Sequence, residues 1–213
     1  MDHWTRFSWR LFFLVIALGG LPACTGVNNA AGTPTSYSDP GTAGPVQGIG
    51  IESQDIVSMT DQMMRDMLSE PRLAAQKRPP NIIIDGEYFK NASSSRINKN
   101  VITDRLRVSL NRAARGRMVF VGRHYADMVE SERKVKRDGV TDTGTQGMAA
   151  GTKGGDYRLG GRISSIDSMD PKTATKSRYT LIVFEMVDLE TSEIVWSGQY
   201  EFSKSNQDDI IYR

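Results

Sequence analysis

From Tyr157 onward the apolar residues recur at every second position, and this change of period constrains the fold more than any other feature. Tyr157, Leu159, Gly161 and Ile163 alternate with Arg158, Gly160, Arg162 and Ser164. Arg178 to Val187 is a long run rich in apolar residues. Glu193 to Ser203 alternates again, with Ile194, Trp196, Gly198, Tyr200 and Phe202 on one face. A period of two sets one face of a strand against a core and the other toward solvent. Asp188 to Ser192 is short enough for a hairpin connection. The C-terminal third is therefore predicted to be antiparallel sheet.

Upstream the period is helical. Ser53 is placed to cap a helix, with Asp55 in its first turn favouring the dipole. Ile56, Met59, Met63 and Met67 fall on one face, beside Val57, Met64 and Leu68, and Pro71 limits the helix. Such a methionine face reads as core, with an adaptable partner groove as the alternative. Pro79-Pro80 then introduces Asn81-Ile-Ile-Ile-Asp85, a buried strand by its β-branched run. Asn98 caps a second helix with an apolar stripe of Ile102, Leu106, Leu110 and Ala113, ended by Gly116. Met118 to Val121 is a short strand. Strand, helix and strand at this spacing predict a βαβ unit with a parallel pair. His124 to Arg137 reads as a third helix with Tyr125, Met128, Val129 and Val135 apolar. Asp138 to Gly155 is Gly- and Thr-rich and reads as a loop, with a short helical piece at Met148-Ala149-Ala150. The predicted fold class is α/β, or α+β by segregation. It is a mixed sheet with a parallel βαβ start, antiparallel C-terminal strands and flanking helices.

The first 23 residues read as an address. Arg6 and Arg10 precede an apolar run from Leu11 to Leu21, about half of what a spanning helix needs. Leu21-Pro22-Ala23-Cys24 resembles the bacterial lipobox, in which the cysteine is acylated after cleavage before it. The chain's one cysteine lies at the one position where that signal needs it. An ordinary cleavage site with an incidental cysteine is the alternative. Several acyl chains give stable anchoring where one does not. Thr25 follows Cys24, and no Asp stands there to resemble an inner-membrane retention signal, so the periplasmic side of the outer membrane is the expected location. Residues 24–51 then form a lipidated cysteine and flexible linker, poor in charge and large apolar groups. Fully extended, it reaches roughly 90 Å. Residues 52–205 form the globular domain, and 206–213 a tail.

The search for chemistry mostly excludes. With a formal net charge of +2 on 213 residues, nothing points to nucleic acid. One cysteine forbids an internal disulfide and a thiolate metal cluster. His124 is the single histidine left after cleavage, too little for most triads. Asp138, Asp142 and Asp156 lack the spacing of a calcium loop. Gly147 to Lys153 lacks that of a phosphate loop. No catalytic residue, metal or cofactor is expected.

Several stretches carry a family resemblance. They are Pro79-Pro80-Asn-Ile-Ile-Ile-Asp85, Lys90-Asn91-Ala-Ser93, Ile102-Thr-Asp-Arg-Leu-Arg-Val-Ser-Leu110, Phe120-Val121, Tyr157-Arg-Leu-Gly-Gly-Arg-Ile-Ser-Ser165 and Val187-Asp-Leu-Glu-Thr-Ser-Glu-Ile-Val-Trp-Ser-Gly198. In this order they resemble the LpoB family, outer-membrane lipoproteins that activate penicillin-binding proteins. The resemblance implies a TolB N-terminal-like and CsgG-like domain without enzymatic activity. It also implies a partner: a bifunctional class A penicillin-binding protein whose glycan polymerisation and peptide crosslinking are stimulated on docking, close to peptidoglycan. The best-known members of the family that this chain resembles have long, proline-rich linkers; this one is short and proline-poor. For docking, the residues singled out are Gln146, Met148 and Tyr157, with Arg158 and Arg162 available for acidic groups. That Tyr157 and Met148 belong to the core is the competing reading. A structural or assembly lipoprotein of the envelope is the alternative function, and a two-carboxylate wall hydrolase the third.

Overall fold

A computed structural model describes residues 32, 35–44, 47–147 and 150–207. The stretch expected to be a leader, Cys24, part of the expected linker, Met148, Ala149 and residues 208–213 lie outside the described residues. The elements below belong to one unit, Ser38–Arg213.

The first helix, α1, spans Ser53–Ser69. Its cap is Glu52 rather than Ser53: the Glu52 amide donates to Asp55 Oδ2 at 2.8 Å, so the first-turn carboxylate reaches back past Ser53. Met59, Met63 and Met67 are fully buried, while Ile56, Met64 and Leu68 pack at the margin. The methionine face is core. A short helix, α2, follows at Pro71–Ala74.

Strand β1, Asn81–Ile83, pairs in parallel with β3, Val119–Phe120. Between them α3 runs over Lys99–Ala114, with Asn98 Oδ1 accepting from the Asn100 amide at 3.1 Å. The predicted βαβ unit is present. The stripe closes on Ala114 rather than Ala113, and both Arg115 (φ 48°) and Gly116 (φ 85°) turn left-handed to leave the helix. A strand absent from the sequence reading, β2 at Phe89–Ala92, lies along the same edge of β4 as β1.

Strands β4 (Tyr157–Asp170), β5 (Thr175–Asp188) and β6 (Ile194–Gln207) form the antiparallel part. The sheet order is β3-β1-β4-β5-β6. Asn206 and Gln207, expected in the tail, belong to β6. A register shift at Met186/Val187 turns Ile194 outward and buries Val195, so the predicted face begins at Trp196.

Helices α1 and α3 cover one face. Phe89 and Phe184 stack beneath them with centroids 5.1 Å apart. Trp196 Nε1 donates to Asp66 Oδ2 at 3.0 Å, fastening β6 to α1. The third predicted helix is a 3-10 turn, Arg123–Tyr125, followed by α4, Ala126–Arg137. Its apolar residues Met128, Val129 and Val135, with Tyr125 before it, are exposed. Amphipathic spacing here does not mark a core face, because no described element covers this one.

At the far end of β4, Asp167 accepts from Arg178 Nε and Ser94 Oγ, each at 2.5 Å. These bonds, first the one from Arg178, hold the carboxyl below its ordinary range. A depressed carboxylate stabilises the fold above its unfolded pKa of about 3.9, and that contribution is lost as pH falls toward the folded value. The melting temperature of Asp167→Asn should therefore lie below that of the parent at pH 5, and the gap should narrow progressively as the pH falls below about 3.9. A pH-independent gap contradicts this.

Candidate functional site

Alternation along β4 divides the predicted docking residues between two surfaces. Tyr157 points to the helix-covered face, packs against the core and takes a hydrogen bond from Gln76 Nε2 at 2.9 Å. Arg158, Gly160 and Arg162 point to the other face, which α1 and α3 leave open. Gln146 is exposed in the 138–155 loop, its amide bonded to the Asp142 carbonyl at 3.0 Å. Met148 lies outside the described residues. Among the described residues of that set, Arg158 and Arg162 are the ones brought together.

The open face carries a groove of about 660 Å³. Its floor is Gly160, which lies opposite Glu185 in the ladder, while Arg162 lies opposite Val183 and Arg158 opposite Val187. A Cβ on Gly160 would find its nearest neighbour, the Tyr88 carbonyl oxygen, at 3.7 Å, so the groove is deep because a side chain is missing there. Tyr88, Lys90 and Leu189 complete the lining.

Arg158 is the fixed post of this groove. One terminal nitrogen donates to both Asp85 carboxylate oxygens, at 3.1 and 2.9 Å, and to Glu87. Its guanidinium carbon stands 4.5 Å from the Tyr88 ring centroid, a cation–π contact. Burial alone would lower its pKa, but the hydrogen bonds it donates to Asp85 and Glu87 outweigh this and raise it. The group stays charged, and its Nε is buried without a hydrogen-bond partner among the described residues. Lys90, Arg162 and Glu185 make no ion pair among the described residues. The groove thus offers two free cations and one free carboxylate beside Val183, Val187 and Leu189. Apolar ground ringed by free charges is what a docking patch presents to a protein. The sequence reading missed Tyr88, Lys90, Val183 and Glu185. The cross-strand pairing that assembles them has no local signature, although Lys90 sits in one of the resembling stretches.

Other candidates have structural work. Asp156 Oδ2 accepts from the Asn81 amide at 2.6 Å and side chain at 3.0 Å, joining β4 to β1. Asp142 holds its own turn through Gly144 and Thr145. His124 is exposed, with its ring against Tyr125. Among the described residues no three His, Cys, Asp or Glu side chains converge as metal ligands, and no helix is long and apolar enough to cross a membrane.

Among solved structures, the chain is similar to the LpoB C-terminal domain from Salmonella enterica at 17% identity and a TM-score of 0.40. That match covers 67% of this chain and 94% of the other. It is similar to the LpoB C-terminal domain from Escherichia coli at 17% identity and a TM-score of 0.38, covering 68% and 96%. Lipoprotein GNA1162 from Neisseria meningitidis matches at 16% identity and a TM-score of 0.31, covering 62% and 88%. No curated protein matches the chain. The family model for the peptidoglycan-synthase activator LpoB matches residues 55–202, from the first turn of α1 into the last strand. The chain belongs to the LpoB family of peptidoglycan-synthase activators.

Proposed function

We propose that this protein is an outer-membrane lipoprotein, anchored through Cys24, that binds a bifunctional class A penicillin-binding protein and stimulates its glycosyltransferase and transpeptidase activities. The observation that carries this reading is the family match across nearly the whole folded unit. The open-face groove supports it as the docking surface, with Arg158 rigid and Arg162 free. Activation then needs no chemistry from this chain: binding energy shifts the synthase toward its active state. Tyr157 contributes from behind, by holding the start of β4, and Gln146 stands on a separate loop.

The test is direct. The detergent-purified full chain is added to a purified class A penicillin-binding protein from the same organism, and glycan polymerisation and crosslinking are followed. Arg162→Glu should weaken binding about tenfold, the effect of losing roughly 1.4 kcal/mol, and reduce stimulation in step. No stimulation by the parent chain, with capture of secretion or assembly components instead, would transfer the protein to the structural alternative.

A further inference from the structure

The end of the sheet where β1 and β3 begin is strongly basic. Lys77 and Arg78 lead into Pro79-Pro80 and β1, while Arg112, Arg115 and Arg117 occupy the end of α3 and the turn into β3. The two segments are held together: the Val119 amide donates to the Pro80 carbonyl at 2.9 Å, and Asn81 pairs with Val119. All five cations belong to exposed residues. None has an ion-pair partner among the described residues; Arg117 Nε donates only to the Ala114 carbonyl, at 3.2 Å. One or two cations at a helix C-terminus offset its dipole, which amounts to about half a charge. Five exceed that several-fold. Of the carboxylates at this end, Glu193 pairs with Arg72, Asp156 and Asp188 accept hydrogen bonds from neutral groups, and Glu190 makes no ion pair among the described residues, so the five cations outnumber the three carboxylates not paired with a cation.

Position selects the partner. The linker enters the fold where Lys204 Nζ donates to the Gly50 carbonyl at 3.1 Å. Lys204 lies opposite Arg178, and Arg178 opposite Asp167. Strand β1 meets β4 at Tyr157 instead. Ten residues of strand separate these levels, roughly 33 Å. The basic end therefore lies across the fold from the linker, and none of its five cations lines the groove. We propose that it binds the carboxylates of peptidoglycan stem peptides, holding the domain on the wall. The choice of polymer rests on the envelope placement above; the basic end itself does not.

The full chain in detergent is sedimented with purified sacculi. Binding should weaken steeply between low and physiological salt, as screening shortens the reach of the charges. Lys77→Gln/Arg78→Gln/Arg112→Gln, which removes no contact described above, should raise the apparent Kd about tenfold at an unchanged melting temperature. Sacculi with amidated carboxyl groups should bind as weakly as this variant does to untreated sacculi. Gly160→Leu, which fills the groove, should bind sacculi like the parent, separating this proposal from the docking reading. It is overturned if the parent ignores sacculi or if the triple variant binds them unchanged. It is equally overturned if phosphatidylglycerol vesicles bind the parent while sacculi do not. A triple variant that loses synthase stimulation but keeps its sacculus affinity assigns the basic end to the synthase and also overturns it.

Discussion

Gly161→Ala should lower the melting temperature by roughly 6–12 °C, the shift expected for about 3 kcal/mol in a domain of this size. A Cβ at this position would sit 2.3 Å from the Val183 carbonyl oxygen and 2.7 Å from the Phe89 ring. The first neighbour is backbone in the β4–β5 ladder, and Phe89 is fully buried against Phe184. Neither retreats cheaply, because a close-packed interior transmits the displacement. Overpacking usually costs 1–3 kcal/mol, and a clash with ladder backbone belongs at the upper end of that range. Circular dichroism melts measure it. A change below about 2 °C contradicts the packing described for this face.

Gly160, one residue earlier, should behave oppositely. Its Cβ would point into the groove with 3.7 Å to the nearest atom. Gly160→Ala and Gly160→Leu should therefore melt within about 2 °C of the parent, as surface substitutions do. The leucine should nevertheless reduce synthase stimulation about tenfold or more, since it fills the floor between Arg158 and Arg162. Two adjacent glycines thus separate folding from docking. If Gly160→Leu stimulates the synthase like the parent, the groove is not the docking surface.

The contrast shows what was legible in the sequence. Alternation alone places 158, 160 and 162 on one face and 157, 159, 161 and 163 on the other, so the face of each docking residue was readable from its parity. Grouping Tyr157 with Arg158 and Arg162 overlooked that parity. The methionine face of α1, the βαβ unit and the C-terminal hairpins were likewise readable, because burial imposes a period on local sequence. Three features were not. Strand β2 buries only Phe89, so it has no alternation to display. The shift at Met186/Val187 is set by pairing between two strands and appears in neither alone. The exposure of α4 depends on which elements cover it, not on its own spacing. The site followed the same rule. Arg158 and Arg162 share a strand and were found together. Asp85, Glu87 and Tyr88 reach Arg158 from a connection without period, through long-range contacts.

The groove's makeup bears on mechanism as well. Arg158 is locked by Asp85, Glu87 and Tyr88, so it loses little side-chain freedom on binding, whereas Arg162 and Lys90 must be ordered by the partner. A docking surface of this kind combines a rigid centre with adaptable charges at its margin. The basic end across the fold from the linker would act separately, as a second point of attachment that raises the local concentration of the domain at its partner.

The most direct test of the docking account is amide hydrogen exchange on the full chain, alone and saturated with a soluble class A penicillin-binding protein. The account predicts added protection in residues 158–162 and 183–187, with α1 and the buried core unchanged. Protection confined to α1 or α3, with the open face exchanging as in the free protein, would contradict it.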